Sequence, residues 1–397
     1  MRVSAQAFFK ESVSTLQRLQ SELNNIQQQI ATGRRIQSPS DDPVGASRAL
    51  DIRESVGQLD QYERNSELAV SRLRLQEQSL TTTTGFLQRA RELTLQAGNA
   101  TQTNETRGFI AAELRGLLDA TLAAANAQDS NGQYLFGGFQ TSTPPYSRDA
   151  NGFNYNGDQG RREVQIGPSR RLTDSEPGDR VFGRLREGNG QIVARPATTN
   201  TGEGVINVTT LGSLSGYNYE RYDIVFTTPT DYEVRDDGGA VLSTGVFESG
   251  DDIAIGDFQF NIAGSPATGD SFSVDPSRQT DVFTLLDGLA SALEAGTPSS
   301  RTSVELQTEI DAGILGLDQA LTSVLNVRSE TGIRLGVAET ELDNNGATRL
   351  VLQESLADIE DIDYAAAISA LTQQATALEA AQQSFVRVQG LSLFNYL

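Results

Sequence analysis

The residues of this chain that could carry out chemistry are its carboxylates, lysine, tyrosines and serines, because it contains neither histidine nor cysteine. Histidine is the commonest general base and metal ligand, and cysteine supplies thiolate nucleophiles and zinc ligands. Their absence excludes Ser-His-Asp triads, Cys-His dyads, disulfides and HExxH zinc sites. Chemistry by carboxylates, lysine, tyrosine or a serine–lysine pair stays open, and we expect a structural protein that is not an enzyme and uses no cofactor.

Four carboxylates lie close together near the carboxy-terminal end of the chain: Asp358, Glu360, Asp361 and Asp363. A cation is one conceivable ligand, but the spacing does not match a calcium-binding loop. Acidic side chains in such a run are typical of a solvated helix face or of the first turn of a helix. We therefore expect no metal ion at these residues.

The basic pair Arg34-Arg35 has two interpretations that the sequence leaves open. In one, the guanidinium groups contact carboxylates of a neighbouring chain, for which the planar, forked side chain is well suited. In the other, the pair lies in a solvated turn and stabilises a helix C-terminus, where positive charge is favourable.

The overall charge separates classes of partner. The chain has 31 Lys and Arg residues against 52 Asp and Glu residues, and its formal net charge is −21 at pH 7. Nucleic-acid binding needs a basic face, so we expect no nucleic-acid partner.

The amino-terminal segment lacks the apolar region of a signal peptide, and no run is apolar enough to span a membrane. We expect a soluble protein with no membrane partner, either cytoplasmic or exported without a cleavable signal.

An apolar stripe predicts an amphipathic helix at the amino-terminal end. Apolar residues recur at spacings of three and four, at Leu16, Leu19, Leu23, Ile26 and Ile30. So narrow a stripe is typical of a coiled-coil seam, and the helix needs a partner to bury it. The pattern alone does not say whether that partner is part of the same chain or a neighbouring subunit.

A joint follows the first stripe. Gly33 ends the pattern and suits a helix C-cap. The turn through Pro39 leads to Asp42, the predicted N-cap of a second helix that begins at Pro43.

The carboxy-terminal part has the same elements in the opposite order: a long helix, a joint and a terminal helix. One heptad register runs from Ile310 to Ile359 and continues through Asn344-Asn345-Gly346, which predicts a single long helix. A new register starts at Tyr364, and a change of register indicates a joint, here near Asp361 to Asp363.

The middle of the chain has a different character. Short alternating runs such as Tyr222 to Phe226 and Ser271 to Val274 are separated by turns rich in glycine and aspartate, which predicts an antiparallel sandwich or barrel. The predicted fold class is α+β and multidomain: terminal α-helical coiled-coil or bundle regions pair the two chain ends and carry an inserted antiparallel β domain. We predict a terminal helical assembly domain (1–42 and 362–397), a helical rod domain (43–140 and 280–361) and a β-rich outer domain (141–279).

Two groups of residues are the candidate functional sites. The predicted assembly interface comprises Leu16, Leu19, Leu23, Ile26, Ile30, Leu371, Leu378, Phe385, Val388, Leu391, Leu393 and Phe394. The predicted joint comprises Gly33, Arg34, Arg35, Pro39, Asp42, Pro43, Asp361 and Asp363.

Several segments resemble the bacterial flagellin superfamily. Gln29-Ile30-Ala31-Thr32-Gly33-Arg34-Arg35-Ile36, followed by Pro39-Ser40-Asp41-Asp42-Pro43, is similar to its amino-terminal signature. Asp358-Ile359-Glu360-Asp361-Ile362-Asp363-Tyr364-Ala365 is similar to its carboxy-terminal signature. Asn131 to Gly138 and the final Leu393-Phe394-Asn395-Tyr396-Leu397 resemble the hook-associated members of the superfamily.

The resemblance implies a structural subunit of the bacterial flagellum. It implies a homo-oligomeric ring at the distal end of the hook, between hook-associated protein 1 and the flagellin filament. It also implies type III export as an unfolded chain, with a cytoplasmic flagellar export chaperone on the carboxy-terminal end. The protein would then be secreted to the extracellular flagellum and only transiently cytoplasmic.

Two alternatives stay open beside this interpretation. One is a flagellin-type filament subunit, which has the same class of terminal helices. The other is a β-domain adhesin or enzyme displayed on helical stalks, which needs an aromatic platform or a pair of carboxylates. Tyr217, Tyr219 and Tyr222 are the candidates for such a platform.

Overall fold

The computed structural model describes residues 2–150, 152–188, 190–211, 220–255, 258–296 and 303–394. The helices are α1 (Arg2–Thr32), α2 (Pro43–Ala97), α3 (Asn104–Ala125), α4 (Val282–Ala295), α5 (Ser303–Glu360) and α6 (Tyr364–Phe394). The single predicted helix through Asn344-Asn345-Gly346 is confirmed, since α5 is continuous there. No helix in the described part of the chain carries an apolar stretch long enough to cross a bilayer.

Strands and a short π-helix (Asp179–Gly183) lie between α3 and α4. The strands are β1 (Tyr146–Asp149), β2 (Gly152–Tyr155), β3 (Glu163–Gln165), β4 (Arg171–Thr173), β5 (Leu185–Arg186), β6 (Ile192–Pro196), β7 (Val205–Leu211), β8 (Tyr222–Phe226), β9 (Asp231–Asp236), β10 (Val241–Val246), β11 (Asp252–Ile255), β12 (Phe258–Ala263), β13 (Ser271–Pro276) and β14 (Gln279–Thr280). All their pairings are antiparallel. The predicted fold class, with an inserted antiparallel β domain between terminal helical regions, is confirmed.

Local side chains explain where several helices begin. Asp42 precedes α2, and its Oδ1 accepts a hydrogen bond from the amide of Gly45 at 2.9 Å. Asp281 caps α4 in the same way, through the amide of Thr284 at 2.7 Å. These caps pair amides that have no partner inside the helix.

The chain divides into two compact units. The first comprises residues 1–64 and 341–397, and the second comprises residues 65–340. The division into three domains predicted above stays a prediction.

Strands β6 to β13 form a β module (residues 192–276) within the second unit. One sheet has the order β10-β9-β8-β13-β6, and the other has the order β11-β12-β7. Both sheets contribute to one apolar core, which consists of Ile192, Ile206, Ile224, Phe226, Val234, Phe247, Ile253, Ile262, Phe272 and Val274. Inward side chains alternate with outward ones, as the pleat of a strand requires.

The helices of the second unit share a different core. It includes Leu80 and Leu87 of α2, and also side chains from α3, α4 and α5. Tyr146 and Phe182 belong to this helical core, although the sequence placed them in the predicted outer domain. The segment 146–186 therefore packs on helices and does not share the core of the β module.

A buried ionic cluster fixes part of that segment. Glu176 is fully buried, and its carboxylate pairs with Arg161 at 3.0 Å, with Arg180 at 3.1 Å and with Arg334 of α5. Glu330 joins the cluster by binding Arg180 at 2.5 Å. We call these five residues the arginine clamp.

Candidate assembly surface and helix joint

The two terminal helices of the first unit pack against each other. The ring centroids of Phe9 in α1 and Phe385 in α6 are 5.5 Å apart. Gln374 of α6 donates a hydrogen bond to Glu22 of α1. Because residue numbers rise along one helix as they fall along the other, α1 and α6 are antiparallel.

This pairing covers the predicted seam only in part. Leu16, Leu19, Leu23, Ile26 and Ile30 are all half-buried, and so are Leu371, Leu378 and Phe385. Among the α1 side chains that the structure describes, none is fully buried, and Ala367 is the one buried side chain described in α6. A groove of about 290 Å³ also remains between the helices, beside Leu16 and Phe385. The two helices alone leave the stripe without a complete core.

Further apolar side chains of the first unit face solvent. Ile368 and Val386 of α6 are 53% and 67% exposed, and Val44 and Leu50 of α2 are similarly exposed. The predicted interface does not include these four residues. Val44 and Leu50 do not belong to the registers from which we selected the interface, so the seam pattern gave no reason to include them.

Four predicted interface residues are not described at the level of their side chains: Val388, Leu391, Leu393 and Phe394. The backbone of α6 continues through them to Phe394. Their role in the interface stays a prediction.

The predicted joint residues from the two chain ends lie side by side. Arg34 and Asp361 form an antiparallel bridge. Two backbone hydrogen bonds flank this bridge. The amide of Arg35 donates to the carbonyl oxygen of Glu360 at 2.6 Å, and the amide of Ile362 donates to the carbonyl oxygen of Gly33 at 3.0 Å. This short ladder connects the end of α1 to the turn between α5 and α6.

The side chain of Arg35 binds within its own chain. Its Nη2 and Nε donate to the carbonyl oxygen of Ile359, at 2.7 and 3.2 Å, in the last turn of α5. Its Nη1 lies 3.4 Å from Oδ2 of Asp42. Of the two interpretations of the basic pair, the structure therefore favours a helix C-terminus for Arg35, while the side chain of Arg34 is exposed.

Aspartates organise both turns of the joint. The amide of Gly45, assisted by Arg35, holds the pKa of Asp42 below its usual value. Asp363 caps α6, since its Oδ1 accepts from the amides of Ala365 at 2.9 Å and Ala366 at 3.1 Å. Pro43 is the first residue of α2 and Pro39 lies in the exposed turn before it.

Three contributors to the joint were missed from sequence. Glu360 is buried and forms an ion pair with Arg53 of α2. Gly45 is also buried, and a Cβ there would lie 2.5 Å from Oδ2 of Asp42. The acidic run drew attention to Glu360, but its partner lies more than three hundred residues away in sequence.

Replacement of Gly33 tests the backbone of the joint. Gly33 has φ +72°, and an added Cβ would lie 3.1 Å from the hydroxyl of Tyr364. We expect Gly33→Ala to destabilise the joint by about 1 kcal/mol, because a side chain is unfavourable in this conformation. Hydrogen exchange at the amides of Arg35 and Ile362 should then be roughly fivefold faster.

Gly57 provides the matched control for that substitution. It lies inside α2, and an added Cβ would meet nothing within 4 Å. Gly57→Ala should stabilise the helix by about 0.5–1 kcal/mol. Equal effects of the two substitutions would contradict a conformational role for Gly33.

Of the three tyrosines considered as an aromatic platform for an adhesin, the structure describes one. Tyr222 packs against the core of the β module and is half-buried. Tyr217 and Tyr219 lie outside the described residues. Tyr222 is thus placed as a core-flanking residue of β8.

Comparisons with known proteins match both ends of the chain. Residues 3–141 match the family model of the bacterial flagellin N-terminal helical region, and residues 314–397 match that of the C-terminal helical region. The flagellar hook-associated protein 3 of Escherichia coli is 27% identical over 100% of this chain and 99% of that protein. The flagellin of Bacillus subtilis matches only 34% of this chain, at 30% identity, and 46% of its own length.

Solved structures are similar over most of the chain. A crystal structure of Xanthomonas campestris FlgL has a TM-score of 0.68 and 30% identity, and covers 76% of this chain and 99% of that one. The flagellar junction protein FlgL of Legionella pneumophila has a TM-score of 0.69 and 26% identity, and covers 79% of this chain and 99% of that one.

Proposed function

The chain belongs to the flagellar hook-associated protein 3 family of the flagellin superfamily, and we propose that it is a structural subunit of the junction between the flagellar hook and the filament. In this proposal it forms a homo-oligomeric ring that contacts hook-associated protein 1 on one side and flagellin on the other. It works by packing and has no catalytic role. The observation that carries the proposal is the half-covered stripe of the α1–α6 pair.

The energetics of that stripe favour completion by neighbouring subunits. Full burial of one leucine side chain contributes roughly 1.5–3 kcal/mol, and a part of this remains available when the side chain is only partly buried. Leu16, Leu23 and Leu378 are in this state. A second copy that packs along α1 or α6 would remove the remaining apolar surface from water, so assembly is the step that stabilises the terminal helices.

The joint gives the terminal helices a fixed starting point for assembly. Its backbone ladder and the side chain of Arg35 bind the two chain ends to each other within one subunit. The predicted role of Gly33, Arg34 and Asp361 is therefore to set where α1 ends and α6 begins, while the stripe supplies the contact between subunits.

A flagellin-type filament subunit is the second candidate. The terminal helices fit it equally well, because flagellins match those regions. The β module and the full-length match to hook-associated protein 3 of Escherichia coli favour the junction. An adhesin on helical stalks would not need an incompletely buried apolar stripe on its terminal helices, so it is the least supported candidate.

Electron microscopy of purified hook–filament junctions tests the location. A tag in the exposed turn at Gly239 should label a single band at the distal end of the hook. Label along the whole filament would support the filament subunit, and label absent from the flagellum would refute both candidates.

We also propose that the chain is exported to the extracellular flagellum after a transient cytoplasmic stage, with an export chaperone bound to its carboxy-terminal end. The clustered apolar residues Leu391, Leu393, Phe394 and Leu397 motivate this, because a run of apolar side chains commonly marks a contact surface. Removal of residues 391–397 should weaken chaperone binding by about tenfold or more, since it deletes several apolar side chains that a partner could bury. A pull-down with the cognate chaperone measures this.

The thermal transition of the second unit is the control for the truncation. It should be unchanged, because residues 65–340 contain their own cores. Undiminished chaperone binding by the truncated chain would contradict the proposed role of the tail.

A further inference from the structure

One edge of the β module carries no charge and no proline, and its register with the neighbouring strand is regular from Ser243 to Val246, beyond a shift between Val241 and Ser243. Strand β10 is the last strand of the five-stranded sheet, and it pairs only with β9 in the described part of the chain. Its sequence, Val-Leu-Ser-Thr-Gly-Val from Val241 to Val246, has neither a charge nor a proline. Natural edge strands usually carry one of these devices, because an open edge is a template for another strand.

The hydrogen-bonding pattern shows which backbone groups are open. The amide of Phe247 donates to the carbonyl oxygen of Thr230 at 2.7 Å. Bonded residues alternate along an antiparallel strand, so Gly245 and Ser243 also face β9. The N–H and C=O groups of Thr244 and Val246 therefore point away from β9, towards the open edge.

Two exposed side chains of β10, on either side of Thr244, are apolar where a solvent-facing strand is normally polar. Val246 is 75% exposed and Leu242 is 54% exposed. Gly245 lies against the side chain of Tyr232, where a Cβ would meet the tyrosine ring. An incoming strand would find both unpaired backbone groups and an apolar surface.

Acidic residues at both ends of β10 favour an incoming strand that carries positive charge. Residues 221–255 contain eight acids and two arginines. Asp237 lies in the turn before β10, and Glu248 and Asp251 follow it, all exposed. A second copy of this chain would bring like charges together, whereas a basic segment would meet opposite charges.

We infer that the open edge of β10 is a docking site for an extended peptide segment of a partner protein, with Lys or Arg at its ends and alternating β-branched residues between them. The partner's backbone adds a strand to the sheet beside Thr244 and Val246. Its basic ends contact the acidic groups of the two turns. This mode of recognition takes its affinity from main-chain hydrogen bonds and its selectivity from charge.

The test uses the full-length chain and a synthetic peptide of alternating threonine and valine, with two lysines at each end. Fluorescence anisotropy should show binding that weakens as salt is raised from low ionic strength, because exposed charges are screened. A peptide with glutamates in place of the lysines should bind about tenfold more weakly or worse. Equal binding of the two peptides would overturn the inference.

Two pairs of variants locate the site. Thr244→Pro removes an outward N–H and should weaken binding about tenfold or more, whereas Thr244→Ala keeps it and should change binding less than about twofold. Val246→Lys should weaken binding and Val246→Glu should strengthen it, with no change to the backbone. Equal affinities within each pair would place the peptide elsewhere and overturn the inference.

The same measurements distinguish self-association. If the chain dimerises through β10, sedimentation will show a concentration-dependent dimer that Thr244→Pro abolishes. That outcome would overturn the choice of a basic partner, because it requires two acidic edges to pair.

Discussion

Cells that produce Leu23→Asp or Leu378→Asp chains should secrete them at the normal level and yet leave their hooks without filaments. Both leucines are half-buried in the seam of the α1–α6 pair. Export handles an unfolded chain in our proposal, so the seam has no role at that step. Assembly would place the new carboxylate in an apolar interface, where an unpaired charge is strongly unfavourable.

The expected size of the effect follows from burial. Loss of one leucine contact costs a part of the roughly 1.5–3 kcal/mol of full burial for each subunit, and an aspartate adds the larger cost of burying a charge. We expect the fraction of hooks that carry filaments to fall about tenfold or more. Electron microscopy of the cells and immunoblots of the medium measure attachment and secretion separately.

Asn24→Asp is the matched control for Leu23→Asp. It adds the same charge one position away, on the exposed side of α1. Because that side chain stays in water, filament attachment should be close to normal. Full filaments on the Leu23→Asp strain would show that the stripe is not the assembly surface.

Replacement of Glu176 by alanine should produce the largest loss of folding stability in the second unit. Glu176 is fully buried and pairs with Arg161, Arg180 and Arg334. Its removal takes one carboxylate from three neighbouring arginines and leaves Arg180 and Arg334 to share Glu330. Breaking a buried ion pair in this way typically costs about 3–5 kcal/mol, and urea unfolding of the full chain would measure it.

Glu339→Ala is the control for charge loss as such. Glu339 pairs with Arg74 at 2.6 Å, but the two side chains are 44% and 63% exposed. Exposed pairs contribute about 0–1 kcal/mol, so this variant should be nearly as stable as the parent. Similar losses for the two variants would show that the arginine clamp is no more important than a surface pair.

Acid should weaken the same cluster. The hydrogen bond from Arg180 holds the pKa of Glu330 below its usual value. A carboxylate whose pKa is lower in the folded state stabilises the fold above its unfolded-state pKa, and this contribution is lost as the pH falls through the lowered value. Stability of the second unit should therefore fall as the solution is acidified below about pH 4.5, the ordinary value for glutamate.

The sequence by itself determined the terminal helices and the joints at which they meet the longer helices. Heptad registers predicted α1, α5 and α6, because the side-chain period of a helix is a local property of the chain. Gly33 and Asp42 marked an end and a start because caps depend on residues within one turn. The inserted antiparallel β domain followed from short alternating runs between turns.

Only the tertiary structure decided which distant residues meet. Arg35 binds the carbonyl oxygen of Ile359, and Arg53 pairs with Glu360, across more than three hundred residues. No periodicity encodes such contacts, since they depend on how whole helices pack. For the same reason, the sequence could not show that the segment 146–186 joins the helical core, that Val246 lies on an open edge, or that the terminal stripe stays half-exposed.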